Sequence, residues 1–251
     1  MTINLFSNSA SFNKAASSYS AYNKVQAYVF DQLCKVVKKN RVTNCVDIGC
    51  ASGENTYKLF KLFNNAHITG IDSSVNMIAK AKEQFSLPNL EFQLASYDYI
   101  ANLNKVDCII SNVSMQWFEN LDNFFERLSL VSSNKPQIVL SAFLPGTYQE
   151  LAEAIRACVN PDFYIPAESF YSETYYSNLV QEYFPDLTVN LNSVSTTFKS
   201  VKELLKTIQL TGVNSPDHRL SLTKSSIKNL ENYLLQRHGC IRMTFRYVLI
   251  Y

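Results

Sequence analysis

Short apolar runs alternating with amphipathic segments organise the first half of this chain. Val42 to Ile48, His67 to Asp72, Leu90 to Leu94, Val106 to Asn112 and Pro136 to Phe143 read as strands. Val106 to Asn112 is nearly all apolar, as a strand buried on both faces should be. Between them lie helical patterns. Glu54 to Phe63 spreads Tyr57, Leu59, Phe60, Leu62 and Phe63 over a broad face, and Asp122 to Leu130 reads as another helix. Ser73 or Ser74 can cap a helix carrying Val75, Met77, Ile78 and Ala81. Strands alternating with helices at this spacing predict a parallel, doubly wound α/β sheet.

The second half reads differently. Leu187, Val189 and Leu191 alternate with Thr188, Asn190 and Asn192 at the start of a strand over Leu187 to Phe198. Ile241, Met243, Phe245, Tyr247 and Leu249 alternate likewise. These are expected to be a sixth and a seventh strand, paired antiparallel at one sheet edge. Segments 147–183 and 199–236 are too long and too helical to be simple connections. With the N-terminal helix they are expected to cap the site. The expected division is residues 1–40, N-terminal cap helices; 41–146, the ligand-binding core; and 147–251, cap insertions with the last two strands.

Composition narrows the classes. The 251 residues are 47% hydrophobic and 18% charged, which excludes a disordered chain. A net charge of +2 does not announce nucleic acid. No stretch approaches the roughly 20 apolar residues of a membrane span. The first residues are Ser/Asn-rich without an apolar core, so no signal peptide is expected. Six cysteines without a CxxC pair are expected to be reduced, mostly buried thiols of a cytoplasmic protein. Three histidines without zinc spacing predict no metal. A monomer is expected.

Glycine is scarce, six in the chain, and two of the six lie four apart, Gly49 and Gly53. They follow the first strand and precede the first long helix, the phosphate-or-nucleoside turn of a Rossmann-like unit. Asp72 ends the next strand, where a carboxylate can grip ribose hydroxyls. The loop does not match the dinucleotide fingerprint G-x-G-x-x-G. It is also framed by Asp47 and Glu54, which would oppose a pyrophosphate. A cofactor with cationic ends suits it better, and S-adenosylmethionine carries an ammonium and a sulfonium.

The pattern D-x-G-x-G/A-x-G, followed by an acid at the end of the next strand, resembles the class I S-adenosylmethionine-dependent methyltransferases. The resemblance implies a Rossmann-like fold with a seven-stranded, mostly parallel sheet, an antiparallel last strand and a helical cap. It implies S-adenosylmethionine as cofactor and S-adenosylhomocysteine as product. By position, Asp47 holds the methionine amino group directly or through water, Gly49 and Gly53 admit the backbone, and Asp72 accepts both ribose hydroxyls. Met77 packs on adenine or serves as a helix core residue. Ser96 occupies a slot near adenine N6 where many members carry Asp, with Tyr97 following. Asn112 offers its backbone to the methionine end. Gln26, Cys50 and Ser73 complete the implied cofactor set.

Ser111-Asn112-Val113-Ser114-Met115-Gln116-Trp117 follows the fourth strand, at the ligand-binding edge. S-N-x-x-x-Q-W resembles two carboxyl-methylating groups, the malonyl-acyl-carrier-protein methyltransferases of biotin synthesis (the BioC family) and the trans-aconitate methyltransferases. The flanks favour the first. Phe12 to Tyr19 resembles its opening F-x-R/K-A-A-x-x-Y, and Gly146 to Leu151 its G-S/T-x-x-E-L. Leu204 to Gly212, Leu222-Thr223-Lys224-Ser225 and Met243-Thr244-Phe245 resemble its later motifs in order.

That resemblance implies methylation of a free malonyl carboxylate on acyl-carrier protein, giving the methyl ester that primes biotin (pimeloyl) synthesis. Such a carboxylate is already ionised and needs no general base. Tyr19 closes over the site, or is a core aromatic, and Gln116 faces the pocket. Trp117 contacts substrate or packs under its loop. Arg156 is a candidate partner for the carboxylate, as are Arg219, Arg242 and Arg246. Lys199, Lys202 and Lys206 at i, i+3 and i+7 form a face for an acidic carrier, or merely a solvated one. Lys224 and Lys228 form another. Three other readings stand beside this one: a small-acid methyltransferase of trans-aconitate type, a methyltransferase-like assembly factor without turnover, and, disfavoured by the loop, a dinucleotide oxidoreductase.

Overall fold

Only part of the apolar pattern settles the architecture, because short strands at the ends carry no readable period. The computed structural model describes residues 2–4, 9–38, 42–64, 66–102, 105–131, 136–211 and 219–251. The chain opens with β1 (Thr2–Asn4), α1 (Ser9–Ala15), α2 (Tyr19–Tyr22) and α3 (Lys24–Val36). Then follow β2 (Asn44–Ile48), α4 (Glu54–Leu62), β3 (His67–Asp72), α5 (Val75–Gln84), β4 (Leu90–Leu94), β5 (Cys108–Ser111), α6 (Leu121–Val131) and β6 (Gln137–Phe143). The remainder is α7 (Gln149–Cys158), α8 (Glu173–Tyr183), β7 (Val189–Phe198), α9 (Val201–Leu210), β8 (Arg219–Ser221), α10 (Lys224–His238) and β9 (Ile241–Ile250).

The sheet runs β4-β3-β2-β5-β6-β9-β7. Its first five strands pair in parallel, and β9 lies antiparallel between β6 and β7. This is the sheet that the alternation of runs and helices predicts, and β9 is its antiparallel last strand. Element ends differ from the sequence reading by one or two residues, as fraying ends do. A short antiparallel pair, β1 with β8, was not readable from three-residue strands.

Packing fixes where the helices lie. Phe30 and Leu33 of α3, Leu59 of α4 and Leu151 and Ile155 of α7 are fully buried on one face of the sheet. Burying one such side chain contributes about 1.5–3 kcal/mol, against ~1 kcal/mol for a helix cap. The apolar stripe therefore outweighs the end signals. Phe124 and Phe125 of α6 and Tyr176 and Leu179 of α8 fill the other face. So α8 covers the far side of the sheet rather than the site, and only part of 147–183 acts as a cap. None of the six cysteines forms a disulfide; Cys45, Cys50 and Cys108 are buried and the other three half-buried. Among the described residues no helix is long and apolar enough to cross a membrane, and no cluster suits a metal.

Candidate active site

The carboxyl ends of β2, β3 and β5 open into a cavity of about 630 Å3. Strand order reverses between β2 and β5, which leaves a crevice for a ligand. The chain leaves β2 through Gly49 at φ +78°, where an added Cβ would sit 2.5 Å from Ser114 Oγ. Only glycine fits there. Gly53, at φ +89°, starts α4 and is crowded by Phe92. The amides of Gly49 and Cys50 both donate to Ile71 O, at 2.8 and 3.0 Å, which ties the loop to β3.

Asp72 lines the cavity and is held in place by backbone. Its Oδ2 accepts the Ala51 N–H at 3.0 Å and its Oδ1 the Ser74 N–H at 2.8 Å. Burial raises its pKa against those two bonds. Ser73 lines the cavity beside it, and Ser74 caps α5 by accepting the Met77 N–H. Met77 lies in the helix core with 1% exposure and lines the cavity.

Asp47 sits one layer deeper, 1% exposed and outside the cavity wall, with Thr56 Oγ1 donating to its Oδ2 at 2.7 Å. Burial pushes its carboxyl up to about 7, with Asp72 adding to the rise and the Thr56 bond opposing it. Glu54 Oε2 accepts from Ser52 at 2.8 Å, while its Oε1 is buried without a hydrogen-bond partner. Asp47, Glu54 and Asp72 all raise the Tyr19 phenol above its ordinary value, after burial itself. Carboxylates thus gather at the loop, one with an orphaned oxygen and one whose pKa burial lifts to about 7. Burying charge this way is costly unless it is paired. The set fits a ligand bringing an ammonium and a sulfonium, and Asp72 is the group that would hold its ribose. Cys50 and Gly53 lie outside the wall and shape the loop from behind.

Ser96, Tyr97 and Asp98 line the cavity beyond β4. Ser96 Oγ accepts the Asp98 N–H at 3.3 Å and meets its Oδ2 at the same distance. A carboxylate therefore reaches this end two residues later than the family slot. Tyr97 stacks on Phe118 with centroids 4.4 Å apart. Asn112 bridges the site's two sides, its Nδ2 donating to Gln26 O at 3.0 Å and its Oδ1 accepting from Ser141 Oγ at 3.0 Å.

The other end of the cavity is aromatic. Tyr19 and Phe12 enter from the N-terminal helices, Trp117 from the loop after β5, and Phe143, Tyr148 and Phe245 from β6, α7 and β9. Phe12 and Phe170 meet Trp117 edge-on at 6.0 and 5.1 Å. Gln116 is 7% exposed and lines the wall, with Nε2 donating to Val113 O at 2.6 Å and Oε1 accepting from Phe143 N at 3.2 Å. Its amide braces the loop and keeps one further valence at each end. Ala51, Val113 and Tyr148 are three of the five non-glycine residues with positive φ in the described chain, and all three line this cavity. Backbone strain of this kind gathers where a site is held against local preference.

Arg156 does not reach the cavity. Its NH2 bonds both oxygens of Glu168 at 2.6 Å and its Nε donates to Phe163 O at 2.8 Å. Arg246 pairs with Glu173 at 3.2 Å, and Arg242 is exposed. The side chain of Arg219 lies outside the described residues. No lysine or arginine lines the wall among the described residues. Lys199, Lys202 and Lys206 are exposed, and Lys199 precedes the N-cap Ser200, so only Lys202 and Lys206 share a helical face.

Sequence reasoning missed Phe12, Ser114, Tyr148 and Phe170 as wall residues; for Tyr148 the preceding Gly146 was the signal. Glu150 and Thr244, from two separate outer motifs, bond each other: Glu150 accepts the Thr244 hydroxyl at 2.5 Å and its N–H at 3.0 Å. Thr244 O in turn accepts the Tyr148 N–H at 2.9 Å. The motifs form one clasp that seats Tyr148.

A methyltransferase-domain family model matches residues 39–212. A malonyl-acyl-carrier-protein O-methyltransferase 2 of Ilyobacter polytropus is 27% identical over 88% of this chain and 86% of its own length. A malonyl-acyl-carrier-protein O-methyltransferase of Acetivibrio thermocellus is 27% identical over 95% of this chain and 90% of its own. In fold, the YcgJ protein of Bacillus subtilis matches at TM-score 0.55 with 12% identity, covering 89% of this chain and 97% of that one. The plantazolicin methyltransferase BamL, solved with S-adenosylhomocysteine, matches at 0.50 with 16% identity, covering 96% of both. S-adenosylmethionine is the methyl donor and S-adenosylhomocysteine the product. By its loop, its sheet and the family model spanning most of its length, this chain belongs to the methyltransferase-domain family of S-adenosylmethionine-dependent enzymes.

Proposed function

We propose that this protein methylates the free carboxylate of a malonyl thioester on acyl-carrier protein, the ester that primes biotin synthesis. What carries the reading is the set of relatives of that name, matched over 81–95% of this chain. Chemistry supports it. When bound, the cofactor would supply an electrophilic methyl on its sulfonium to a carboxylate oxygen of the acceptor. No proton moves, so no base is needed, and no histidine or lysine lines the described wall. The task left to the protein is alignment and exclusion of water. Tyr19, kept protonated by burial and by its acidic neighbours, donates a hydrogen bond to orient the acceptor. Gln116 holds the wall, and Trp117 with Tyr148 packs the thioester arm. Asp72 holds the ribose, and Asp47 lies behind the amino group. One carboxylate is easier to accommodate than three on a wall whose described residues include no cation, which disfavours a trans-aconitate acceptor. Helix α9 touches α2, with Leu210 O accepting the Ser18 hydroxyl at 3.0 Å, so the helix that carries Lys202 and Lys206 adjoins the Tyr19 segment, where an acidic carrier would dock.

The test is methyl transfer from labelled S-adenosylmethionine to malonyl-acyl-carrier protein, with free malonate and trans-aconitate alongside. Product on the carrier-bound acid alone is expected. Product on a free acid instead overturns the carrier reading, and cofactor binding without any product overturns turnover on carboxylates altogether.

A further inference from the structure

Helix α5 follows Asp72 directly, and the first amides of any helix lack partners within it. Ser74 accepts the Met77 N–H. The Asn76 N–H finds its acceptor outside the helix, in Asn13 Oδ1 of α1 at 3.0 Å. The same oxygen accepts the Ser74 hydroxyl at 2.7 Å, and Asn76 Nδ2 donates back to Asn13 O at 3.0 Å. Three hydrogen bonds thus join α1 to the residues beside Asp72. Ser74 is shared: its N–H holds Asp72 and its hydroxyl holds Asn13. On either side of Asn13, Phe12 and, six residues on, Tyr19 line the cavity.

We propose that Asn13 is a positioning residue that couples cofactor binding at Asp72 to the seating of the Phe12–Tyr19 segment over the cavity. A ligand on Asp72 orders Ser74, Ser74 orders Asn13, and Asn13 places Tyr19. By reciprocity, a seated segment tightens cofactor binding by the same factor. The role requires an acceptor only, since Asn13 Oδ1 donates nothing. A carboxylate at the amino end of a helix fulfils it, favoured by the helix dipole. The inference rests on the cofactor and not on the identity of the methyl acceptor.

Lys14 is exposed beside Asn13, so tryptic cleavage after it reports the segment directly. In the wild-type protein, S-adenosylhomocysteine is expected to slow that cleavage about tenfold relative to cleavage at exposed Lys199. Asn13→Ala is expected to lose the protection and to bind S-adenosylhomocysteine severalfold more weakly by calorimetry, and Asn13→Asp to restore both. If Asn13→Ala does not fold, Asn76→Ala, which removes one of the three bonds, is expected to reduce the protection part-way. Equal cleavage with and without ligand in the wild type overturns the coupling. So does equal slowing at Lys199, or undiminished protection in Asn13→Ala. Loss of carrier methylation with protection intact leaves the coupling standing and counts only against the proposed acceptor.

Discussion

The two ends of the cavity are built by opposite means. The cofactor end is backbone: Gly49 and Gly53 at positive φ, loop amides tied to Ile71, and Asp72 gripped by two N–H groups. Its residues come mostly from one stretch, 47–77. The acceptor end is side chains: Tyr19, Trp117, Tyr148, Phe170 and Phe245 arrive from segments far apart in the chain. The first is a local device that only a few residue types can build. The second is a surface assembled by the fold, in which no single aromatic is dictated by its neighbours in sequence. Damage at the first end should abolish cofactor binding, and damage at the second should spare it.

The largest break expected is Gly49→Ala. Its Cβ meets Ser114 Oγ at 2.5 Å in a backbone region that L-residues avoid. Strain of about 1–3 kcal/mol and overpacking of about 1–3 kcal/mol should lower S-adenosylhomocysteine affinity at least about thirtyfold, at 1.4 kcal/mol per tenfold. Calorimetry checks this, and unaltered affinity would remove Gly49 from the cofactor end. Asp72→Ala comes next. Hydrogen bonds to a charged group contribute about 1.5–3 kcal/mol, so a loss of roughly tenfold to a hundredfold is expected.

A pH series sharpens the same end. Burial lifts the Asp47 carboxyl to about 7, whereas an unfolded chain releases that proton near the ordinary carboxylate value of 3.8. Between these values the folded, cofactor-free protein holds a proton that the unfolded chain has lost, so its stability falls as pH rises through the window. The ammonium of the ligand favours the ionised form, so S-adenosylhomocysteine affinity should rise as pH passes through about 7. Asp47→Asn should flatten both trends, and a parallel rise in that variant would assign the effect elsewhere.

At the acceptor end, Glu150→Ala opens the clasp with Thr244 and leaves its half-buried N–H unpaired, at about 1–3 kcal/mol, while the Thr244 hydroxyl keeps Ser195 Oγ at 3.1 Å. The melting temperature should fall by roughly 2–4 °C for each kcal/mol. The acceptor KM should rise while S-adenosylhomocysteine affinity holds, and a fall in both would merge the two ends into one unit. The smallest change is Tyr148→Phe, which removes one hydroxyl from the wall and keeps its ring on Phe245 at 4.6 Å. About a tenfold or smaller drop in kcat/KM is expected, read with the carrier-bound acid.

The contrast also explains what was readable beforehand. Strands β2, β5 and β6 were legible as nearly continuous apolar runs buried on both faces, and β3 and β4 as short runs set between helical patterns. Asp72 was legible because its role depends on following β3. Arg156 was misplaced because a cation's partner depends on what folds beside it, and here Glu168 lies twelve residues on in the chain. The lysine face was too long by one residue, since Ser200 starts α9 after Lys199. Phe170 gave no sign, because the chain is rich in aromatics and nothing local separates a wall residue from a core one.

By itself, then, the sequence determined the sheet and the cofactor loop. Both rest on short-range rules, the period of apolar residues and the steric freedom of glycine. The tertiary structure decided which side chains face the cavity, which cations stay outside it, and how Asn13 and the Glu150–Thr244 clasp fasten its two ends. These depend on contacts between residues far apart in the chain, and only closing the fold brings such residues within hydrogen-bonding range.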